Sequence, residues 1–284
     1  MHLKLDENAN VVKPASMTKQ LVSNDPTTGA EVWSGAIGDA AAEVATARAA
    51  WAGWAAHSVA FRIEALRRFA NVVRKAEEEF ASLIAKETGK PFWEAKTEVA
   101  AVINKVEISI DAYAERTPQR RLEAALGNKI AVRHKPHGVL AVLGPYNFPA
   151  HLPNGHIVPA LIAGNAVVFK PSEKAPATGA MLVDCFHQAG IPEGVVRLLI
   201  GGPEQGKALA SEPGSTACCS PARPAPACRS IASSPICPTR SWRLSLAVII
   251  PWSCGRPRTF RPPRRLSSNR PISPLANVAP RRAA

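Results

Sequence analysis

The sequence contains no run of about 18 apolar residues, so it lacks the segment that a membrane-spanning helix requires. The start of the chain, residues 1–10, is polar and includes Asp6 and Glu7. It therefore lacks the basic and then apolar pattern of a secretory signal. We expect a cytoplasmic protein that has no membrane partner.

Negative charge is missing from the C-terminal part of the sequence. All 22 acidic residues lie at or before Glu212, whereas 12 of the 35 basic residues, all of them arginine, lie after it. Lysine and histidine are absent from residues 215–284, and half of the 26 prolines lie beyond Glu212. Because proline interrupts helices and central strands, we expect this tail to be mostly disordered. The composition divides the chain into residues 1–214 and 215–284.

Residues 21–38 are predicted to form short strands with turns, and apolar residues at helical spacing follow them. Asp39 is a suitable N-cap for an alanine-rich helix. One further helix is predicted over residues 62–86, with Gly89 and the proline that follows it marking its end. Another helix is predicted over 92–116.

Short apolar runs next to glycine then alternate with helical stretches. They predict buried strands at 138–143, 166–169 and 195–200, with helices at about 156–163 and 175–189 between them. Strands that alternate with helices form a parallel sheet with right-handed crossovers, so the predicted fold class is α/β.

Ligands of such sheets bind at the carboxyl ends of the strands, and polar residues follow all three predicted strands. Asn147 offers an amide donor after the first strand. Lys170 and Glu173 follow the second and can hold phosphate, ribose hydroxyls or each other. Gly202 and Gly206 allow a ligand to approach the start of a helix. In the structural alternative, Asn147 caps a turn and Lys170 pairs with Glu173 at the surface. The usual dinucleotide-binding fingerprint, G-x-G-x-x-G, is absent from the sequence.

The segments around these residues resemble a known superfamily. Aldehyde dehydrogenases have stretches similar to GPYNFP, LPNGHIVPALIAGNAVVFKPSE and AGIPEGVVRLLIGGPEQGKAL. Their N-succinylglutamate semialdehyde branch, which acts in arginine catabolism, has stretches similar to ETGKPFWEAKTEV and HKPHGVLAVLGPYNFPAHLPNGHIVPAL. The resemblance covers roughly residues 21–214.

This resemblance implies NAD-dependent oxidation of a small-molecule aldehyde, N-succinylglutamate 5-semialdehyde, to N-succinylglutamate. Asn147 matches the asparagine that stabilises the tetrahedral oxyanion. Lys170 and Glu173 match residues that hold the adenosine ribose of NAD. Residues of the cofactor cleft match Pro145, Gly202 and Gly206. Intact members are homo-oligomers, an assembly that we do not carry over to this chain.

Members of the superfamily use a cysteine thiolate as nucleophile and a glutamate that activates water. Neither is found here. Cys185 lies in an apolar helical stretch, so we expect it to be packed in the core. The motifs that carry the nucleophile and the glutamate should follow Gly214 and are missing. We therefore expect an incomplete Rossmann-type sheet with N-terminal helices and an inactive chain. The alternatives are a non-enzymatic truncated product and a binding protein that uses its basic tail.

Two functions are conceivable for the tail itself. Its arginines would attract nucleic-acid phosphates, but Trp242, Trp252 and Phe260 show no spacing that suggests base stacking. Its cysteines include no C-x-x-C pair, and no histidine accompanies them. We therefore expect neither a nucleic-acid partner nor a metal site.

A change of reading frame near Gly214 explains the tail better than a nucleic-acid site or a metal site does. Read one nucleotide earlier, synonymous codons for four tail segments can encode the missing motifs in family order. They are LLFTGS from 218–222, KILALEL from 240–246, GGNNPL from 247–252 and SAGQRCT from 274–280. We interpret residues 215–284 as an out-of-frame translation.

Overall fold

A computed structural model describes residues 19–118, 120–123, 129–215, 217–220 and 241–244 of the chain. The described elements lie in one compact unit, Met1–Pro251. The helices are α1 (Ala40–Ala56), α2 (Val59–Lys75), α3 (Glu77–Thr88), α4 (Phe92–Arg116), α5 (His151–Ile162), α6 (Pro176–Gln188) and α7 (Pro203–Ser211). The strands are β1 (Gln20–Asn24), β2 (Glu31–Ala36), β3 (Arg120–Glu123), β4 (Lys129–Val132), β5 (Val139–Leu143), β6 (Ala166–Lys170), β7 (Val196–Leu198), β8 (Ala217–Ser220) and β9 (Ser241–Leu244).

Local sequence signals place several helix ends correctly. The Asp39 carboxylate accepts hydrogen bonds from the Ala41 and Ala42 amides, each 3.3 Å long, and α1 begins there as predicted. Gly89 ends α3 in the left-handed conformation, with φ of 72°, which glycine adopts without steric cost. The bounds predicted for α4 are also confirmed.

The single helix predicted over residues 62–86 is wrong, because the chain turns at Ala76 and divides it into α2 and α3. Ala76 has φ of −98° and ψ of 14°, outside the helical region. The apolar spacing continues on both sides of this residue, so periodicity alone does not reveal the turn. Glu77, Glu78 and Glu79 then form the first turn of α3, where negative charge is favourable.

The predicted parallel sheet is confirmed. It has five strands in the order β7-β6-β5-β8-β9, and every adjacent pair is parallel. The strands β5 and β6 pair in register from Val139 with Ala166 to Leu143 with Lys170, and nearly all of their residues are buried. Two antiparallel pairs, β1 with β2 and β3 with β4, form separate small sheets.

The strands β8 and β9 lie within the tail for which the sequence predicts disorder. β8 extends the sheet beside β5, and β9 pairs with β8. The prediction for the rest of the tail, residues 216, 221–240 and 245–284, lies outside the described residues.

The start predicted for α5, near residue 156, is too late, since this helix begins at His151. It therefore includes Pro153 in its first turn and Pro159 in its interior. A proline in the first turn removes only an N–H that has no partner within the helix, so Pro153 does not prevent an earlier start.

Side chains from α1 and α2 donate hydrogen bonds to the carbonyls at the C-terminal end of α5. The indole N–H groups of Trp51 and Trp54 donate to the carbonyls of Gly164 and Leu161, both at 3.1 Å. The buried Arg62 guanidinium donates to the Ile162 carbonyl at 2.9 Å, and burial lowers its pKa. Because the last carbonyls of a helix have no intrahelical partner, these bonds fix where α5 stops.

Packing against the sheet involves α1, α5 and α6, and the helices α2, α3 and α4 cover α5 and α6 in turn. The rings of Phe69 and Phe186 stack at 3.8 Å between centroids, where α2 meets α6. Within the described residues, no helix is both long and apolar enough to cross a membrane.

Candidate active site

The predicted site loops meet at the carboxyl edge of the sheet. The Gly144 amide, directly after β5, donates to the Lys170 carbonyl at the end of β6, at 2.8 Å. On α7, a Cβ added to Gly206 would lie 3.5 Å from Cδ and 3.6 Å from Cε of Lys170. The fold therefore brings the loop after β5, the loop after β6 and the start of α7 together, as the sequence predicts.

The ion pair between Lys170 and Glu173 that the structural alternative predicts is present, but Lys170 itself is buried, with 5% of its surface exposed, and does not lie at the surface. Its ammonium donates to the Pro171 carbonyl at 3.0 Å and lies 3.9 Å from the Glu173 carboxylate. Burial lowers the pKa of Lys170, and Glu173 opposes that shift. An ammonium has three N–H donors, so this one keeps donor capacity beside a carboxylate whose side chain is 42% exposed.

A side chain of α7 itself caps the start of this helix. The Gly202 amide donates to the side-chain oxygen of Gln205 at 3.0 Å, and Pro203 occupies the first helical position. A Cβ added to Gly202 would meet no atom within 4 Å. Gly202 thus leaves open space next to the site, and its own N–H is bonded to the Gln205 side chain.

Asn147 lies exposed in the loop between β5 and α5. Among the residues that the structure describes, none forms a hydrogen bond with its side-chain amide, so the turn-capping alternative is not observed. The amide is therefore available to a bound molecule. Pro145, two residues earlier, is half-buried in the same loop.

Two residues that the sequence reasoning missed hold this loop in place. The buried Glu98 carboxylate accepts hydrogen bonds from the amides of Ala150 at 3.0 Å and His151 at 3.1 Å, which begin α5. Its other oxygen lies 2.9 Å from the Lys90 ammonium, which in turn lies 4.0 Å from the centroid of the Phe148 ring. The loop that carries Asn147 is thus anchored just beyond that residue.

A second buried glutamate, Glu87 on α3, binds the start of α6 in the same way. Glu87 accepts hydrogen bonds from the amides of Ala177 at 2.9 Å and Thr178 at 2.7 Å, at the start of α6. The Ser23 hydroxyl donates to the same carboxylate at 2.6 Å. Each glutamate satisfies helix N-terminal amides directly after a site loop.

A sequence signal for both glutamates exists in the helical pattern. Glu98 lies three residues after buried Ala95 and four before buried Val102, on the apolar face of α4. Glu87 lies three residues after buried Ile84 on α3. A carboxylate on the buried face of a helix needs a partner, because burying it unpaired is costly.

Cys185 is packed in the core, as predicted. It lies in the second half of α6, away from the loop after β6, with 2% of its surface exposed. Burial raises the pKa of its thiol to about 11, so the thiolate is disfavoured at neutral pH.

Known proteins are similar to the part of the chain that contains this site. The family model described as "Aldehyde dehydrogenase family" matches residues 11–218. An N-succinylglutamate 5-semialdehyde dehydrogenase of Novosphingobium aromaticivorans is 68% identical over 195 residues, which are 69% of this chain and 41% of that protein. The protein of the same name from Sphingopyxis alaskensis is 65% identical over 198 residues, 70% of this chain and 41% of that protein. The chain thus spans about two fifths of the length of these relatives.

Solved structures share the fold of the matched part. An NADP-dependent glyceraldehyde-3-phosphate dehydrogenase from Bacillus halodurans, complexed with NADP, has a TM-score of 0.67 at 26% identity, covering 71% of this chain and 44% of that one. An NAD-dependent benzaldehyde dehydrogenase from Corynebacterium glutamicum has a TM-score of 0.66 at 27% identity, covering 72% and 45%.

Proposed function

The chain belongs to the aldehyde dehydrogenase family, and from this premise we propose that it is the front part of an N-succinylglutamate 5-semialdehyde dehydrogenase. The reaction is oxidation of the aldehyde to N-succinylglutamate with a nicotinamide cofactor. The observation that carries the proposal is the site itself. The exposed Asn147 amide and the buried Lys170 with Glu173 lie on adjacent loops at the carboxyl edge of one sheet. The substrate follows from the names of relatives that are 68% and 65% identical.

Lys170 and Glu173 fit the ribose of a nicotinamide cofactor. The Lys170 ammonium supplies a donor and the Glu173 carboxylate supplies an acceptor, and Gly206 lies against the lysine stem without a side chain of its own. We propose NAD as the cofactor, because the Glu173 carboxylate would accept a hydrogen bond from a ribose hydroxyl and repel a phosphate at that position. The cofactor, when bound, supplies the acceptor for hydride from the aldehyde carbon.

Asn147 supplies the electrostatic part of catalysis. Its amide N–H would donate to the oxygen of the aldehyde as negative charge develops on it. Such a donor is effective only when it is held in position before the reaction. Glu98 and Lys90 provide that restraint through the start of α5 and the Phe148 ring.

We further propose that the chain as written does not catalyse the reaction. Cys185 is buried with a raised thiol pKa, so it is unsuited to attack an aldehyde. No glutamate follows Glu212 to activate water. A preorganised donor such as Asn147 is typically worth about 10²–10³ in rate, which is small beside the roughly 10⁶-fold or more of typical enzymes.

The test is an assay of NADH formation from N-succinylglutamate 5-semialdehyde. The chain as written is compared with the product of the full gene after one nucleotide is restored at the Gly214 codon. We expect turnover only from the restored protein, and a loss of about 10²-fold or more in its Asn147→Ala variant. A folded restored protein that oxidises other aldehydes but not this one would contradict the proposed substrate.

A further inference from the structure

A cavity of about 250 Å³ lies between α4, α5 and the segment that leads from β4 to β5. Its α4 wall includes Lys105 and Arg116, and its α5 wall includes Gly155 and the buried His156. The cavity is separate from Lys170, Glu173 and the start of α7, none of which lines it.

Positive charge dominates the walls of this cavity. The charged or imidazole side chains among the described lining residues are Lys105, Arg116, His134, Lys135, His137 and His156, and no carboxylate is among them. Apolar surface from residues such as Ile108, Ala112 and Pro159 completes the lining. A cavity with this composition is suited to a molecule that has a short carbon chain and a negative charge.

The Lys105 ammonium has no ion-pair or hydrogen-bond partner in the part of the chain that the structure describes. Two other lysines with little exposed surface, Lys90 and Lys170, differ in this respect. Lys90 lies 2.9 Å from Glu98, and Lys170 lies 3.9 Å from Glu173. An unpaired cation in a partly enclosed cavity is a natural ligand for a carboxylate.

Gly155 makes room for this ammonium. A Cβ added to Gly155 would lie 3.4 Å from Cε and 3.9 Å from Nζ of Lys105. The end of the Lys105 side chain therefore lies directly against α5 at Gly155. Burial, assisted by Lys105, lowers the pKa of His156 to about 4, so at neutral pH its imidazole is neutral and keeps one N–H donor.

We propose that this cavity binds the carboxylate end of an acidic small molecule, with Lys105 and Arg116 as its cationic ligands. The proposed function identifies the molecule, and this step rests on it: the distal succinyl carboxylate of N-succinylglutamate 5-semialdehyde. Gly155 lies about 6 Å along α5 from His151, which follows the Asn147 loop. The aldehyde carbon and the succinyl carboxylate are about eight bonds apart, which spans roughly 10 Å when extended. One extended substrate molecule is therefore long enough to reach from the Gly155 wall of the cavity to His151 at the end of the Asn147 loop.

The test is calorimetric titration of the full 284-residue chain at constant ionic strength. The probes are N-succinylglutamate, which has no aldehyde to react, and succinate. The variants are Lys105→Met and Arg116→Gln, with Lys96→Met as the matched control. Lys96 is on the same helix, but its ammonium pairs with Glu78 at 3.0 Å on the surface. We expect Lys105→Met to weaken binding by about tenfold or more, Arg116→Gln to weaken it less, and Lys96→Met to leave it unchanged.

The tail arginines are the same in every variant, so binding to the tail would be independent of Lys105. Equal affinity in the wild-type chain and Lys105→Met, or no binding of either probe, would overturn the proposal. Arg116 is exposed at the end of α4, so its variant tests the site even if Lys105→Met unfolds. Lys105-dependent binding of succinate without binding of N-succinylglutamate would support the cavity as a carboxylate site and contradict the proposed substrate.

Discussion

The Lys90 ammonium and the Glu98 carboxylate lie 2.9 Å apart, beneath the loop that carries Asn147. Both side chains are largely buried, at 13% and 0% exposed. The other carboxylate oxygen of Glu98 accepts hydrogen bonds from the first two amides of the α5 N-terminus. One carboxylate thus joins α4, α5 and the site loop, and changing it should affect stability and site geometry together.

Replacing Glu98 by glutamine should destabilise the fold. The variant removes the buried carboxylate partner of the Lys90 ammonium and leaves it only the more exposed Glu94 carboxylate, at 3.8 Å. Removing one partner of a buried pair typically costs about 3–5 kcal/mol. The amide oxygen of glutamine still accepts a backbone N–H, so we expect the lower end of that range. The measurement is the free energy of unfolding from denaturant titration.

The matched control for this change is Glu94→Gln. Glu94 also approaches Lys90, at 3.8 Å, but its side chain is 37% exposed. An exposed pair contributes about 0–1 kcal/mol, so this variant should unfold at nearly the wild-type denaturant concentration. Equal losses in the two variants would show that the Lys90–Glu98 pair has no special role.

Cofactor selectivity of the frame-restored protein should depend on Glu173. We expect Glu173→Gln to lower the ratio of kcat/KM with NAD to that with NADP by about tenfold, because a neutral amide no longer repels a ribose phosphate. Glu204, in the first turn of α7, provides a control carboxylate outside this loop, and Glu204→Gln should leave the ratio unchanged. An unchanged ratio in Glu173→Gln would remove Glu173 from the cofactor site.

The stability of the fold should fall between pH 6.5 and about 4 because of His156. Its pKa is lowered from 6.5 to about 4 in the folded chain, mainly by burial. In this window the unfolded chain binds the proton and the folded chain does not, so the stability present above pH 6.5 is lost as the pH falls. The shift corresponds to about 3 kcal/mol.

The check is the free energy of unfolding at pH 7 and pH 4.5, for the wild-type chain and two variants. In His156→Gln the loss on acidification should be smaller, whatever the variant's stability at pH 7. His134 is exposed, so His134→Gln should keep the wild-type dependence. If His156→Gln loses as much stability on acidification as the wild-type chain, the histidine is not the group responsible.

Much of this fold is predictable because its signals are local. Asp39 caps the helix that follows it directly, and Gly89 ends α3 at the position where a glycine and a proline mark the sequence. The strands β5 and β6 are continuous apolar runs, which indicates burial on both faces. Such signals also place Asn147 and Lys170 at the same edge of the sheet.

Other features depend on distant parts of the chain. Glu98 contacts backbone amides 52 and 53 residues away, and Glu87 contacts amides 90 and 91 residues away. Neither spacing carries a pattern that a single sequence reveals. The turn at Ala76 could not be predicted for a different reason. The apolar positions keep the same helical spacing through α2 and α3, so the pattern gives no sign of a break. The cavity beside Lys105 likewise arises only when α4 and α5 are packed.

The last prediction concerns the reading frame at Gly214. The structure places β8 at Ala217–Ser220 and β9 at Ser241–Leu244, in segments whose neighbouring frame can encode LLFTGS and KILALEL. We expect the DNA that encodes residues 215–284 to contain all four missing motifs in that frame. The nucleophilic cysteine codon would then straddle Val278 and Ala279, and the restored frame would also replace the arginine-rich tail with sequence that contains acidic residues.

Sequencing the gene from the Gly214 codon onward decides the matter, because DNA without those motifs in the neighbouring frame refutes the frame change. A second readout is the isoelectric point, which is about 9.9 for the chain as written and should fall in the restored protein.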